Sequence, residues 1–201
     1  MVVTATVLNL LVSSCTNSNI KNNDCTKFDN EFYSSEDLSQ YDFTMIEMLN
    51  QDLSKFGAYS IKGNKTESYQ LMYCSSFKKG KLIRIESSNK GATISVKCLE
   101  NKEAGYYCTE GDIKIDSSQW ITFQSMIYEF NYWTENQVEI NNDYFDGYSY
   151  ILEGNRPQAE KCGKKNYNVI IRANPEHDKI AALCEEIITF EEVRRLEKEL
   201  N

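Results

Sequence analysis

The sequence predicts an α+β fold in which an antiparallel sheet meander is packed by two or three helices, and three observations carry the prediction. Apolar residues recur three and four apart near residue 50, alternate strictly from Ser68, and return to helical spacing in two later stretches. Short turns rich in glycine and asparagine separate the alternating runs, which suits antiparallel neighbours better than parallel crossovers. Thirteen tyrosines and nine phenylalanines favour a β-rich body over a helical bundle.

A helix is predicted over Asp42–Phe56, where Phe43, Ile46, Met48, Leu49, Leu53 and Phe56 fall close to three and four apart and Gly57 supplies a stop. From Ser68 the period becomes two, so Tyr69, Leu71 and Tyr73 face one way and Gln70, Met72 and Cys74 the other. Lys79-Gly80 marks a turn into a strand at Leu82–Glu86, with Ile83 and Ile85 on one face. Asn89-Lys90-Gly91 then turns into a third strand carrying Ile94, Val96 and Cys98. A looser stretch, Asn101–Gly111, precedes a short strand at Asp112–Ile115.

The second helix opens at Asp116 or Ser117 and places Trp120, Phe123, Ile127 and Phe130 on a core stripe. After Trp133 a polar, acidic loop through Asn141, Asn142, Asp143 and Asp146 leads to Gly147. Strands follow at Tyr148–Glu153 and Asn166–Arg172, with Gly154–Gly163 as a hairpin connection. Pro175 opens a helix with Ile180, Leu183, Ile187 and Ile188 at helical spacing. Thr189 and Glu192 have the spacing of a capping box, which predicts a separate last helix, Phe190–Leu200, with Phe190, Val193, Leu196 and Leu200 turned inward. No internal repeat is visible.

An uncharged apolar run, Met1–Val12, stands ahead of this body. It is an h-region of signal-peptide length, shorter than the about 20 apolar residues that span a bilayer. The run ends in Val12-Ser13-Ser14-Cys15, which resembles the lipobox of bacterial lipoproteins. That resemblance implies cleavage before Cys15, linkage of its sulfur to diacylglycerol and fatty acylation such as palmitate. The amino end departs from the pattern by lacking a Lys or Arg, and a start codon placed several residues too late accounts for it. Residues 1–14 therefore read as a signal peptide, 15–26 as the lipidated cysteine and a polar tether, and 27–201 as a single α+β domain. Thr16 stands where some lipoproteins carry the Asp that retains them at the inner membrane, which favours the outer one.

Setting Cys15 aside leaves Cys25, Cys74, Cys98, Cys108, Cys162 and Cys184, enough to pair completely in an oxidising compartment, and one or two real bridges are expected. No two are spaced for a zinc knuckle and the one histidine is His177, so no metal is expected. The net charge of −8 opposes binding to phosphate backbones, which argues against a nucleic-acid partner. Lys78-Lys79-Lys81 and Lys161-Lys164-Lys165 flank turn glycines and read as solvated loop charges.

The body resembles a group of uncharacterised bacterial proteins, many of them lipoproteins, over roughly Tyr69 to Phe190. The resemblance rests on Phe77 and Ile83-Arg84-Ile85, on Tyr132-Trp133 closing an aromatic helix, and on Asp146-Gly147-Tyr148-Ser149-Tyr150-Ile151-Leu152-Glu153-Gly154. Tyr167, Arg172, Pro175 and Cys184 follow in the same order as in the group. Relatives tend to carry Trp where Tyr150 stands, and a basic or histidine residue where Ser75, Ser76 and Lys78 surround Phe77. The resemblance implies architecture and location and no activity.

Few constellations point to chemistry. Asn142, Asp146, Gly147 and Glu153 hold the first, fifth, sixth and twelfth places of a calcium loop, but Tyr144 at the third brings no carboxylate and Glu153 falls in a strand. His177 sits in a helix-opening sequence where polar residues serve capping. No G-x-S-x-G elbow and no phosphate-cradling glycine loop appears, so neither a serine hydrolase nor a nucleotide cofactor is expected. Arg84 and Arg172 lie within aliphatic strands, as does Glu153, and an Arg/Glu pair across neighbouring strands would hold a polar ligand or, more simply, tie the sheet together. Tyr144, Phe145, Asp146, Tyr148, Tyr150, Glu153 and Arg172 form the candidate binding surface, an aromatic platform beside an acidic loop.

The resulting expectation is a membrane-anchored lipoprotein of the cell envelope, attached through Cys15, that binds an envelope protein or glycan without catalysis or cofactor. The alternatives are an immunity-like inhibitor of a basic toxin, matched by charge, and an envelope hydrolase working through Glu153 and Asp146.

Overall fold

Strict alternation along 68–98 builds the middle of the molecule. In the computed structural model, which describes residues 49–75, 80–99, 108–135, 138–140 (backbone) and 147–200, β1 (Ser68–Ser75), β2 (Lys81–Ser88), β3 (Gly91–Cys98) and β4 (Gly111–Ile115) form an antiparallel meander. Further along the chain, β6 (Tyr148–Asn155) pairs antiparallel with β1 on one side and with β7 (Tyr167–Ala173) on the other. A three-residue strand, β5 (Val138–Ile140), adds parallel to β7, giving the order β4-β3-β2-β1-β6-β7-β5. The fold is thus α+β, six antiparallel strands with one short parallel edge, as the alternation requires.

Helices cover both faces. Tyr69, Leu71, Ile83, Ile85, Ile94 and Leu152 bury one face against Phe123 and Ile127 of α2 (Ser117–Glu129) and against Ile180, Leu183, Cys184 and Ile187 of α4 (Lys179–Leu200). Met72, Leu82, Ile151, Val169 and Ile171 bury the opposite face against Leu49 and Leu53 of α1 (49–55) and against Phe56. Asp116 caps α2 by accepting from the Gln119 N–H at 2.9 Å while its own N–H donates to Gln119 Oε1 at 3.0 Å, a closed capping box.

The segment Gly154–Gly163 joins the antiparallel neighbours β6 and β7 as a hairpin connection should, with β6 running to Asn155 and α3 (Pro157–Lys161), proline in its first turn, inside it. Three expectations are corrected. Pro175 does not open the last helix; the chain bends through Asn174 and His177, both at positive φ, and α4 starts at Lys179 with the Ala181 N–H donating to Asp178 Oδ1 at 2.7 Å. No break follows Thr189, because nothing between Lys179 and Leu200 is glycine or proline and one uninterrupted helix is the cheaper backbone. Val193, Leu196 and Leu200 consequently point outward, 39, 59 and 86 % exposed.

Lys81 also departs from the expected loop charge. It is buried at the start of β2, with Nζ 2.6 Å from Glu191 Oε2, and Arg195 Nε donates to the other oxygen of Glu191 at 2.8 Å. Because Glu191 is itself buried, α4 is held to the sheet at this point by an enclosed ion triad as well as by apolar contact.

Candidate functional site

The described part of the candidate surface begins where β6 leaves Gly147. Tyr148 is 38 % exposed and Tyr150, two residues on, is buried. Their rings stand 5.4 Å apart edge to face, and the Tyr73 ring on β1 lies 5.3 Å from Tyr150 and 6.2 Å from Tyr148. Tyr73 and Tyr150 are cross-strand partners, so this contact follows from register and not from either strand alone. The Tyr150 hydroxyl donates to Glu185 on α4, and burial followed by that carboxylate holds its phenol far above the usual range.

Beside the tyrosines lies a cleft of about 380 Å³ bordered by Cys74, Ser75, Tyr148, Ser149 and Asn174. Asn174 Oδ1 accepts from the Tyr148 N–H at 3.0 Å, and a Cβ at position 147 would stand 1.4 Å from that oxygen. Glycine at 147 is therefore what lets Asn174 clip the start of β6. Burial pushes the half-buried Cys74 thiol up, which disfavours its thiolate. Tyr144, Phe145 and Asp146, which would complete the acidic side of this surface, lie outside the described residues, as do Val12–Cys15, Cys25, Phe77 and the first part of the predicted helix from Asp42.

Glu153 is fully enclosed, on the sheet face covered by α1. Gln70 lies directly across from it on β1, and Arg84 directly across from Gln70 on β2. Gln70 Nε2 donates to Glu153 Oε2 at 3.0 Å, while Arg84 Nε donates to Gln70 Oε1 at 2.8 Å. The Arg/Glu pair expected across neighbouring strands is not formed directly, because β1 lies between β2 and β6; Gln70 links Arg84 to Glu153 through its amide. Glu153 Oε1 accepts from the Ile61 N–H at 3.0 Å, from the Tyr167 hydroxyl at 2.8 Å and from the Ser60 hydroxyl. These bonds tie the segment after α1 to the sheet. Desolvation raises the Glu153 carboxyl above its ordinary value against the pull of these donors.

Arg172 is equally interior. Its Nε donates to Asp178 Oδ2 at 3.0 Å, so one carboxylate both receives the guanidinium and caps α4. Of the four described members of the candidate surface, Tyr150, Glu153 and Arg172 are committed to internal bonds and Tyr148 alone reaches solvent appreciably. His177 is exposed in the bend ahead of α4.

Tyr132-Trp133 and Leu152–Gly154 meet in space. The Tyr132 hydroxyl stands 2.8 Å from Asn168 O and 3.1 Å from Leu152 O, Gly154 lies against the Tyr132 ring, and the Arg156 guanidinium sits 3.9 Å above Trp133. Sequence reasoning overlooked Gln70, Ser60, Asn168 and Arg156, whose polar side chains carry no periodic signal, whereas Asp178 caps α4 as the capping reading of Asn174–Asp178 expects. Register alone would have paired Gln70 with Glu153.

Cys98 and Cys108 form a disulfide and Cys162 is likewise disulfide-bonded, whereas Cys74 and Cys184 are free. Among the described residues no group of three or more His, Cys, Asp or Glu side chains could hold a metal ion, and no helix is long and apolar enough to cross a membrane. Fold and interior bonding define a class, an α+β domain on a mostly antiparallel seven-stranded sheet. No family model, curated protein or solved structure matches the chain.

Proposed function

We propose that this protein is an exported binding or accessory module of the bacterial cell envelope, anchored to a membrane through lipid on Cys15 and working without a catalytic centre. The observation that carries the reading is the division of its cysteines. Three described cysteines, Cys98, Cys108 and Cys162, take part in two bridges, as an oxidising compartment allows, and a lipidated Cys15 removes the odd thiol from the count. The enclosure of Glu153 adds support, since a carboxylate ringed by four internal donors is poorly placed to act on a substrate. An envelope protein or glycan at the tyrosine cleft is the corresponding partner.

A second reading, an immunity-like inhibitor of a basic toxin, is favoured by the net charge of −8. The hydrolase reading draws less support, because Glu153 faces α1 and the Ser60 segment and not the tyrosine cleft.

Two measurements test the anchor. Intact mass spectrometry of native material should give a chain starting at a diacylated Cys15, and a retained Met1 with an unmodified thiol at position 15 overturns the reading. Peptide mapping without reduction should recover Cys162 joined to Cys25, the one cysteine left over if Cys15 carries lipid. A Cys15–Cys162 peptide would sink the proposal just as firmly.

A further inference from the structure

We infer that the outer face of α4 is a docking surface for a cationic amphipathic segment of another protein. The inference gives a partner chemistry to the binding-module reading and rests on it. The helix buries Ile180, Leu183, Cys184, Ile187 and Glu191 against the sheet and α2. On the opposite side Val193, Leu196 and Leu200 follow one another three and four residues apart, an aliphatic ridge open to solvent. Such a ridge is costly on a surface whose other exposed positions on this helix are charged or small.

Charge is segregated about that ridge. Glu185, Glu186, Glu192, Glu197 and Glu199 are all exposed and lie along it or on its flanks. The cations of the same turns are turned away or engaged. Arg195 binds Glu191, Lys198 Nζ donates to Asp112 O at 2.9 Å, and Arg194 holds Glu197 at 2.6 Å while packing over Phe190. The negative end of the helix dipole falls at the same place and adds to the potential.

Charge complementarity selects the occupant. A second copy of this ridge would set glutamates against glutamates, and anionic lipid or nucleic acid would be repelled for the same reason. Residues 1–48 of the chain itself hold two lysines against seven acidic residues, the wrong sign for covering this face. A helix with an apolar stripe flanked by Lys or Arg matches both the ridge and its rim.

The test titrates the full chain with a fluorescent 18-residue helical peptide of leucine and lysine, using the leucine and glutamate peptide as control. Intact mass of the same preparation reads the lipid independently, so the anchor and the docking surface can fail separately. Saturable 1:1 binding that weakens as salt rises is expected, with Val193→Ser/Leu196→Ser reducing affinity by about 10-fold or more. Glu186→Gln/Glu199→Gln should reduce it less and flatten the salt dependence. Melting curves of both variants should match the parent, since the replaced groups are exposed. Binding indifferent to both pairs of substitutions overturns the inference, as does equal affinity for the anionic peptide. Dimerisation lost in Val193→Ser/Leu196→Ser would assign the ridge to a second copy and would also defeat it.

Discussion

Gly154 leaves the space that the Tyr132 ring fills, because a Cβ at position 154 would stand 2.7 Å from Tyr132 Cε1 and 2.9 Å from its hydroxyl. The ring cannot retreat easily, since its hydroxyl is held between Asn168 O and Leu152 O. Gly154→Ala should therefore destabilise by about 1–3 kcal/mol through overpacking, and Tyr132→Phe by about 1 kcal/mol through the lost hydrogen bond. Urea denaturation of the singles and of Gly154→Ala/Tyr132→Leu reads the coupling. The double variant should cost less than the sum of Gly154→Ala and Tyr132→Leu, and strict additivity would show that the two residues do not compete for space.

Glu153 provides a pH signature. Its folded-state carboxyl is raised above the ordinary value of 4.5, chiefly by desolvation. The unfolded chain therefore ionises first as pH rises, so the contribution of this group is fully present below its unfolded value and is lost as pH climbs through the folded one. Stability measured by denaturant across that acidic window should fall more with rising pH in the parent than in Glu153→Gln. The variant should also be the weaker protein near neutrality, because its amide nitrogen turns a donor toward other donors. Parallel pH profiles would refute the enclosed carboxylate.

The Lys81, Glu191 and Arg195 triad predicts an asymmetric response. Glu191→Ala leaves the interior ammonium of Lys81 with only the exposed Glu192, 3.5 Å away, and should cost about 2–4 kcal/mol. Replacing both ends together, Lys81→Met with Glu191→Leu, should recover most of that loss, since the apolar pair needs no desolvation. Thermal melts of the three proteins decide the matter; equal damage in the single and double variants would mean that the ion pair is not enclosed.

The Cys98–Cys108 bridge closes a loop with a sequence separation of 10. Loop-closure entropy assigns such a bridge about 3 kcal/mol, so Cys98→Ser/Cys108→Ser should lower the melting temperature markedly, and reductant should lower that of the parent more than that of the variant, in which only the Cys162 bridge is left to reduce. A variant melting with the unreduced parent would show the bridge to be absent from the native protein.

Periodicity revealed most of the strands and α2 because each depends on residues a few places apart. Tyr69, Leu71 and Tyr73 were legible as one face for that reason, and Asp116 as a cap because its partner Gln119 is three residues away. The misreadings have another origin. The spacing of Thr189 and Glu192 mimics a helix start, yet a cap forms only where the helix has already been interrupted, and nothing interrupts α4. Lys81 resembled Lys78 and Lys79 in sequence, and only Glu191, on another element, distinguishes it by enclosing it.

Local order therefore established an α+β chain, its alternating strands and its acidic charge. Three-dimensional packing decided which of the polar and aromatic residues are available. Gln70 and Glu153 are separated by 83 positions and Ser60 and Glu153 by 93, so their union is invisible to any short window. Tyr150 and Glu153 became interior because long-range partners satisfied their polar atoms, while the aliphatic ridge of α4 stayed outside because the opposite side of that helix had already filled the space against the sheet.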